Sequence, residues 1–175
     1  MKPGLRIAVV GNADTVRGMG EYIDSFDIVV RINNGYNIPD ELKKDIGSKV
    51  DIVYTCGNYL KQYKKRNFTY QKRNRGLKLA LKKKFGANPT SGILAIYEML
   101  QTKPKELFVT GISFYKKRYR PGIGETTEQQ NENARQIVIA GGSFHDPNVD
   151  EKIFRILLSK NKYIILDNFL TEYLK

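Results

Sequence analysis

Two apolar runs near the start of the chain, each closing in polar residues, most constrain what this sequence can fold into. Residues 5–10 read LRIAVV and end in a glycine and Asn12, and residues 27–31 read DIVVR and lead to Asn33. Runs of β-branched residues of this length are typical of buried strands in a parallel sheet. Because open α/β sheets bind ligands at the carboxyl ends of their strands, Asn12, Arg31 and Asn33 are predicted to meet in one crevice.

The rest of the chain alternates between strand-like and helix-like patterns. Further strands are predicted at residues 50–55, 106–110 and 162–166, and helices at residues 15–23, 73–85, 92–101, 127–139 and 148–159. This alternation predicts an α/β fold with a single Rossmann-like, doubly wound and mostly parallel sheet. A chain of 175 residues has room for one ordinary core, so we expect a single domain over residues 1–175.

Two of the predicted helices begin where a ligand would be expected. Ser91 is a good N-cap candidate for the helix at 92–101, whose first backbone N–H groups favour a phosphate or carboxylate. Asp146 can cap the helix that follows it, and Pro147 suits its first turn. His145, the only histidine, thus precedes a helix start, where the positive end of the helix disfavours a charged imidazole.

Several of these residues fall in a pattern that resembles the large sialyl motif of the family 29 sialyltransferases. The pattern runs in order and spacing through Val10-Gly11-Asn12, Arg17-Gly18, Gly20, Ile23-Asp24, Asp27, Arg31-Ile32-Asn33 and Asp45-Ile46-Gly47-Ser48. Residues 89–95 and 106–111 resemble the small sialyl motif, and residues 111–115 resemble a segment of the bacterial family 42 sialyltransferases. His145 with the acidic pair Asp150 and Glu151 resembles the very small motif.

The resemblance implies a variant GT-A type glycosyltransferase fold and a defined reaction. Sialic acid, or a related acidic keto-sugar, would pass from a CMP-sugar donor to a glycan hydroxyl. His145 would be the general base, with Asp150 or Glu151 as its partner, while Tyr115 and Tyr119 would stabilise the departing phosphate. The residues that the resemblance assigns to the nucleotide and donor are Gly11, Asn12, Arg31, Asn33, Thr90, Ser91, Gly92 and Gly111.

Two of these assignments have alternatives in the sequence itself. Arg31 stands at a strand end, where it can instead pair with Asp24 or Asp45 to hold the fold. The very small motif usually ends in glutamate, but Asp150 occupies that position here and Glu151 follows one residue later. The identity of the histidine's partner therefore stays open between the two acids.

The proposed chemistry asks for few protein groups. One base takes the proton of the acceptor hydroxyl, and hydrogen-bond donors stabilise the phosphate as it departs. A tyrosine phenol can be such a donor at neutral pH. With one histidine, one cysteine and no Asp-x-Asp sequence, no metal site is expected, and the resemblance implies no cofactor beyond the donor substrate.

Charge and cysteine usage bear on partners and location. The net charge is +12, and no acidic residue lies between Asp51 and Glu98. That interval holds Lys61, Lys64, Lys65, Arg66, Lys72, Arg73, Arg75, Lys78, Lys82, Lys83 and Lys84. Such a patch attracts a phosphorylated glycolipid at a membrane, an anionic saccharide or nucleic acid. Cys56 is the only cysteine, which suggests a reducing compartment; Ile7 stands where animal sialyltransferases have the first cysteine of a disulfide.

Together with the resemblance, these features predict a cytoplasmic glycosyltransferase that builds a bacterial or viral surface glycan. No run of about eighteen apolar residues is present, and we expect at most a peripheral contact with an anionic membrane through residues 61–84. One alternative is a nucleic-acid-binding domain, because Tyr63, Phe68 and Tyr70 are interleaved with the basic residues and can stack on bases. A second alternative is a related domain that binds nucleotide or glycan without turnover.

Overall fold

A parallel sheet of six strands forms the centre of the computed structural model, which describes residues 1–55, 68–121, 128–141 and 145–175. The strands are β1 (Arg6–Val10), β2 (Ile28–Ile32), β3 (Ile52–Thr55), β4 (Thr69–Lys72), β5 (Glu106–Thr110) and β6 (Ile164–Leu166). Their order across the sheet is β4-β3-β2-β1-β5-β6, and each neighbouring pair is parallel. The predicted doubly wound α/β fold is confirmed.

Helices connect most of the strands. They are α1 (Gly20–Asp24), α2 (Lys43–Ile46), α3 (Arg75–Phe85), α4 (Ser91–Gln101), α5 (Glu128–Ile139), α6 (Pro147–Lys160) and α7 (Asn168–Tyr173). The five predicted strands and five predicted helices are all present, most of them within two residues of the expected bounds. The first helix begins five residues later than predicted, after Gly18, whose φ of +63° is incompatible with a right-handed helix. Strand β4 and helices α2 and α7 were not predicted.

Both faces of the central strands are covered, which explains why β1 and β2 are apolar without alternation. In β1, Ile7 and Val9 point into a cluster formed with α4 and α6. Ala8 and Val10 point the other way, into a smaller cluster that includes Ile23 of α1. A parallel strand between two helical layers has no solvent face, so each position favours an apolar side chain.

The N-cap residue was predicted correctly for α6 but not for α4. Thr90 is the N-cap of α4, since its Oγ1 accepts a hydrogen bond from the N–H of Ile93 at 3.5 Å. The prediction of Ser91 as the cap is therefore wrong by one residue, and Ser91 is the first helical residue. The prediction for α6 is confirmed: Asp146 accepts from the N–H of Asn148 at 2.9 Å, and Pro147 opens the helix.

Some sequence predictions concern parts of the chain outside the described residues. They are those for Cys56, Lys61, Tyr63, Lys64, Lys65 and Arg66. In the described ranges, no helix has both the length and the apolar character that a membrane crossing requires.

Candidate active site

A pocket lies at the carboxyl ends of β1 and β5, the adjacent strands between which the order of the sheet reverses. Such a switch point is where open α/β sheets bind ligands, because the loops after the two strands diverge there. The predicted site residues that line it are Gly11, Asn12, Asn33, Thr90, Ser91, Gly92, Gly111, Tyr115, Tyr119, His145 and Asp150. Two predicted residues, Arg31 and Glu151, do not line this pocket.

The floor of the pocket is a close contact between two backbone segments. The N–H of Gly11 donates to Thr110 at 2.8 Å, and the N–H of Ala13 donates to Gly111 at 2.9 Å. A Cβ atom on Gly11 would lie only 2.3 Å from the carbonyl oxygen of Gly111. Gly111 itself has a φ of +67°, a conformation that favours glycine. Buried Asp167 fixes this segment by accepting hydrogen bonds from Thr110 Oγ1 at 2.7 Å and from the Gly111 N–H at 3.1 Å.

Asn12 is held from two sides. Its Nδ2 donates to the carbonyl of Ile32 at 3.1 Å, and its Oδ1 accepts from Nη2 of Arg120 at 3.3 Å. Nη1 of Arg120 also donates to the carbonyl of Gly11 at 2.5 Å. The Asn12 amide is therefore oriented before any ligand binds, which reduces the entropy that binding would cost.

Arg120 is a positioning residue that the sequence analysis missed. The side chain is 2% exposed, and burial together with the nearby charge of Arg31 lowers its pKa to about 9. In the sequence it follows the cations Lys116, Lys117 and Arg118, and nothing local distinguishes a buried arginine from an exposed one. The sequence around Arg120 therefore does not predict that its side chain contacts the site.

Arg31 supports the fold and not the pocket in this structure. Its guanidinium is buried and donates to the main-chain carbonyls of Ile46 at 2.8 Å and Lys49 at 3.1 Å. These bonds fit the alternative in which Arg31 holds the fold, although the partners are carbonyls rather than the carboxylates of Asp24 or Asp45; the donor-binding role stays a prediction. Burial lowers the pKa of Arg31 to about 10, and the charge of Asp24 opposes that shift.

The amino end of α4 forms one wall of the pocket. Thr90, Ser91 and Gly92 bring the first turn of this helix to the cavity, where unpaired N–H groups and the helix dipole favour an anion. The N–H of Thr90 is already used, since it donates to Oδ1 of Asp150 at 3.1 Å. The N–H of Ile93 is also used, by the Thr90 cap, so the first-turn donors that remain for a ligand are those of Ser91 and Gly92.

Asp150 and Glu151 have different surroundings, although both were candidates for the histidine's partner. Asp150 is buried in the pocket wall, and this burial raises its pKa to about 7 against the opposing hydrogen bonds from Thr90. Glu151 faces away from the pocket and accepts hydrogen bonds from Arg155 Nε at 2.9 Å and from the Tyr173 hydroxyl at 2.5 Å. Of the two acids, only Asp150 lines the cavity that His145 lines.

The raised pKa of Asp150 predicts a pH-dependent stability. The folded state binds this proton more tightly than the unfolded state, whose aspartate pKa is near 3.8. The contribution of Asp150 to the free energy of unfolding therefore falls as pH rises from about 4 to about 7. We expect Asp150→Asn, which cannot ionise, to be more stable than the wild type by about 2 to 4 kcal/mol at pH 8. Urea unfolding should show most of this advantage lost at pH 4, and an equal advantage at both pH values would contradict the assignment.

His145 sits between the loop that follows α3 and the start of α6. Its Nδ1 lies 2.9 Å from the carbonyl oxygen of Asn88. A carbonyl only accepts, so Nδ1 carries the proton and the neutral ring has its lone pair on Nε2. The pKa of His145 is lowered, chiefly by burial and further by the positive charges of Arg73 and Lys78. The lowered pKa agrees in direction with the sequence argument, but its largest cause is desolvation rather than the helix start.

Tyr115 and Tyr119 stand together at the pocket, with ring centroids 6.5 Å apart. Burial is the largest cause of the raised pKa of both phenols, so each remains a neutral hydroxyl and a possible donor at physiological pH. Phe114 and Tyr115 have φ values of +47° and +62°, a costly conformation for bulky residues that is often found at functional sites. Arg135 supports this turn by donating to the carbonyl of Tyr115 at 2.5 Å.

A second cavity, of about 640 Å³, adjoins the first and shares Phe114, Tyr115 and His145 with it. Lys116 and Arg135 give its wall positive charge, and Val138 gives it an apolar side. His145 therefore lies between two spaces, one at the carboxyl ends of the strands and one against α5. In the parts of the chain that the structure describes, no group of three or more His, Cys, Asp or Glu side chains is placed to hold a metal ion.

Comparisons with known proteins support the resemblance and the fold. Residues 4–84 match the family model of glycosyltransferase family 29 (sialyltransferase). The crystal structure of a mammalian sialyltransferase in complex with Gal-beta-1-3GalNAc-ortho-nitrophenol is similar, with a TM-score of 0.57 and 17% identity over 94% of this chain and 69% of that chain. A further crystal structure of a mammalian sialyltransferase has a TM-score of 0.59 and 18% identity over the same shares of the two chains.

A bacterial structure has the same fold. The sialyltransferase CstII from Campylobacter jejuni, in complex with the substrate analogue CMP-3FNeuAc, has a TM-score of 0.56 and 14% identity over 93% of this chain and 80% of that chain. No curated protein sequence matches the chain. The resemblance on which the sequence analysis relied is thereby confirmed: the chain carries the family 29 sialyltransferase pattern in residues 4–84, on a fold that it shares with mammalian and bacterial sialyltransferases.

Proposed function

We propose that this protein transfers sialic acid, or a related acidic keto-sugar, from a CMP-sugar donor to a hydroxyl of a glycan or glycolipid. The observation that carries the proposal is the meeting, in one pocket, of a preoriented Asn12, the amino end of α4, two neutral phenols and a neutral His145. Crystal structures of similar folds contain the substrate analogue CMP-3FNeuAc and the sugar compound Gal-beta-1-3GalNAc-ortho-nitrophenol, which supports the two proposed substrate classes.

The donor half of the reaction uses the strand-end pocket. Asn12 and Asn33 hydrogen-bond the nucleotide, and the amino end of α4 receives the phosphate. As the bond from sugar to phosphate breaks, negative charge grows on the phosphate oxygens. The hydroxyls of Tyr115 and Tyr119 donate to those oxygens, which lowers the barrier without a metal ion.

The acceptor half uses the adjoining cavity. A glycan hydroxyl approaches His145 from that side, and Nε2 removes its proton as the new glycosidic bond forms. Asn88 keeps the proton on Nδ1 and so keeps Nε2 basic. Asp150 accepts a hydrogen bond from the Thr90 N–H and is partly protonated near neutral pH. It therefore carries only part of a negative charge in the pocket wall.

Nucleotide binding tests the donor site directly. We expect CMP to raise the melting temperature by about 5 to 10 °C at a hundredfold excess over its Kd, and AMP or UMP at matched salt to raise it less. Asn12→Ala and Ser91→Ala should each weaken CMP binding by about five- to a hundredfold, because each removes a hydrogen bond to a polar or charged group.

The matched control is Ser159→Ala, an exposed serine of α6 that should bind CMP as the wild type does. Equal shifts with all three nucleotides, disappearing at high salt, would indicate a general polyanion site and contradict the proposal. Release of CMP from CMP-sialic acid by the wild type separates a transferase from a domain that only binds nucleotide.

A further inference from the structure

The outward face of α3 combines positive charge with an exposed leucine. Arg75, Leu79, Lys82 and Lys83 are exposed and follow the i, i+3 and i+4 spacing that places residues on one side of a helix. Leu79 lies at the centre of this set and is 63% exposed. We define these four residues as the α3 face. The opposite side of the helix, including Leu81, packs into the core, so the face is turned to solvent.

Nothing acidic neutralises this face among the described residues. The nearest downstream acid, Glu98, is turned inward and accepts hydrogen bonds from Tyr54, from Gln71 Nε2 at 2.7 Å and from the N–H of Asn74 at 3.1 Å. Those bonds tie the start of α3 to α4. The cations of the α3 face are therefore presented on a helix that is fixed to the body of the protein at its amino end.

We propose that the α3 face docks on an anionic lipid bilayer, with the helix lying in the plane of the surface and Leu79 inserted between the headgroups. Lys and Arg gain from the negative surface potential of such a membrane, and an apolar residue at the centre of the cationic ring gains from the acyl boundary. A nucleic-acid backbone offers phosphates to the cations but no apolar environment to Leu79. The leucine is what favours a bilayer over a polynucleotide.

Docking in this way brings the membrane close to the acceptor side of the site. After α3 ends at Phe85, Ala87 lines the cavity that adjoins His145, and Asn88 contacts the histidine itself. Only two residues of chain separate the end of α3 at Phe85 from Asn88, whose carbonyl contacts His145. An acceptor anchored in the same bilayer would be concentrated at that cavity. This consequence rests on the proposed transfer reaction, whereas membrane binding itself does not.

Vesicle binding by the full chain tests the proposal without any activity measurement. Flotation with phosphatidylcholine vesicles containing about one third phosphatidylglycerol should recover the wild type, whereas pure phosphatidylcholine vesicles should not. Lys82→Gln combined with Lys83→Gln should reduce the partition coefficient by about twenty-fivefold, because each lost cation should reduce it by roughly fivefold. Leu79→Ser should reduce it by about fivefold while leaving the charge unchanged. All three side chains are exposed, so folding should be retained.

The matched control is Lys160→Gln combined with Lys162→Gln, two exposed lysines at and just after the end of α6 that give the same change in net charge. This control should float as the wild type does. Equal loss with the control pair would show that only net charge matters and would overturn the α3 face as the site. Retention by Leu79→Ser, together with full release by a single-stranded oligonucleotide, would overturn the bilayer in favour of nucleic acid.

Discussion

His145→Ala should lower the turnover of CMP-sialic acid with a competent acceptor by about a hundred- to ten-thousandfold, while the affinity for CMP stays close to that of the wild type. In the proposed mechanism the imidazole acts on the acceptor proton, so its loss would raise the barrier and leave donor binding intact. The wild-type rate should also fall at low pH as Nε2 becomes protonated. Because burial lowers the pKa of His145, the midpoint of that fall should lie below about 6.5.

The control for this prediction is the stability of the same variant. A structural histidine would behave differently, since its removal would lower the melting temperature and the CMP affinity together. We expect the melting temperature of His145→Ala to remain near that of the wild type. A well-folded His145→Ala protein that turns over at a near-normal rate would remove the catalytic role and favour a binding domain.

Gly11→Ala should be the most destabilising of the single substitutions considered for the pocket. The added methyl group would lie 2.3 Å from the carbonyl oxygen of Gly111, which is backbone in the neighbouring strand connection and has no rotamer by which to move away. The two central segments of the fold would have to separate. We expect a loss of about 3 kcal/mol or more, and a decrease in melting temperature of about 6 to 12 °C.

Gly76→Ala is the opposite case and serves as the matched control. Gly76 lies in the first turn of α3, where a Cβ atom would meet Asn74 Oδ1 at 3.4 Å, an ordinary contact. Replacing a helical glycine by alanine should stabilise the protein by up to about 1 kcal/mol. If Gly11→Ala were as stable as Gly76→Ala, the close approach of Gly11 to Gly111 would not exist in solution.

The central strands were predictable because a buried strand has a mostly apolar sequence. Residues of β1 and β2 are apolar at four of five positions and those of β5 at three of five, a composition that a strand with both faces covered favours. Strand β4 reads TYQK and was missed, since an exposed edge strand has neither an apolar run nor a strict alternation. Helix α2 was missed for a related reason: four residues are too few to show a helical period.

The site was predictable where it depends on strand ends and not where it depends on long-range packing. Asn12 and Gly111 follow apolar runs, so the topology places them at one edge of the sheet. The burial of Arg120 depends on contacts with Gly11 and Gly35, more than eighty positions away in the sequence. The orientation of Glu151 towards Tyr173 depends likewise on where the last helix packs.

The pairing of β1 with β5 also determines when the site can exist. Arg6 lies beside Glu106, so the strands that carry the two halves of the pocket meet only after a loop of about a hundred residues has closed. Contacts of such long sequence separation form slowly in folding. A fragment of residues 4–84 would carry Asn12 and Asn33 but neither Thr90 nor His145. The proposed nucleotide binding would therefore require the completed sheet, and during synthesis it would become possible only after β5 has left the ribosome and paired.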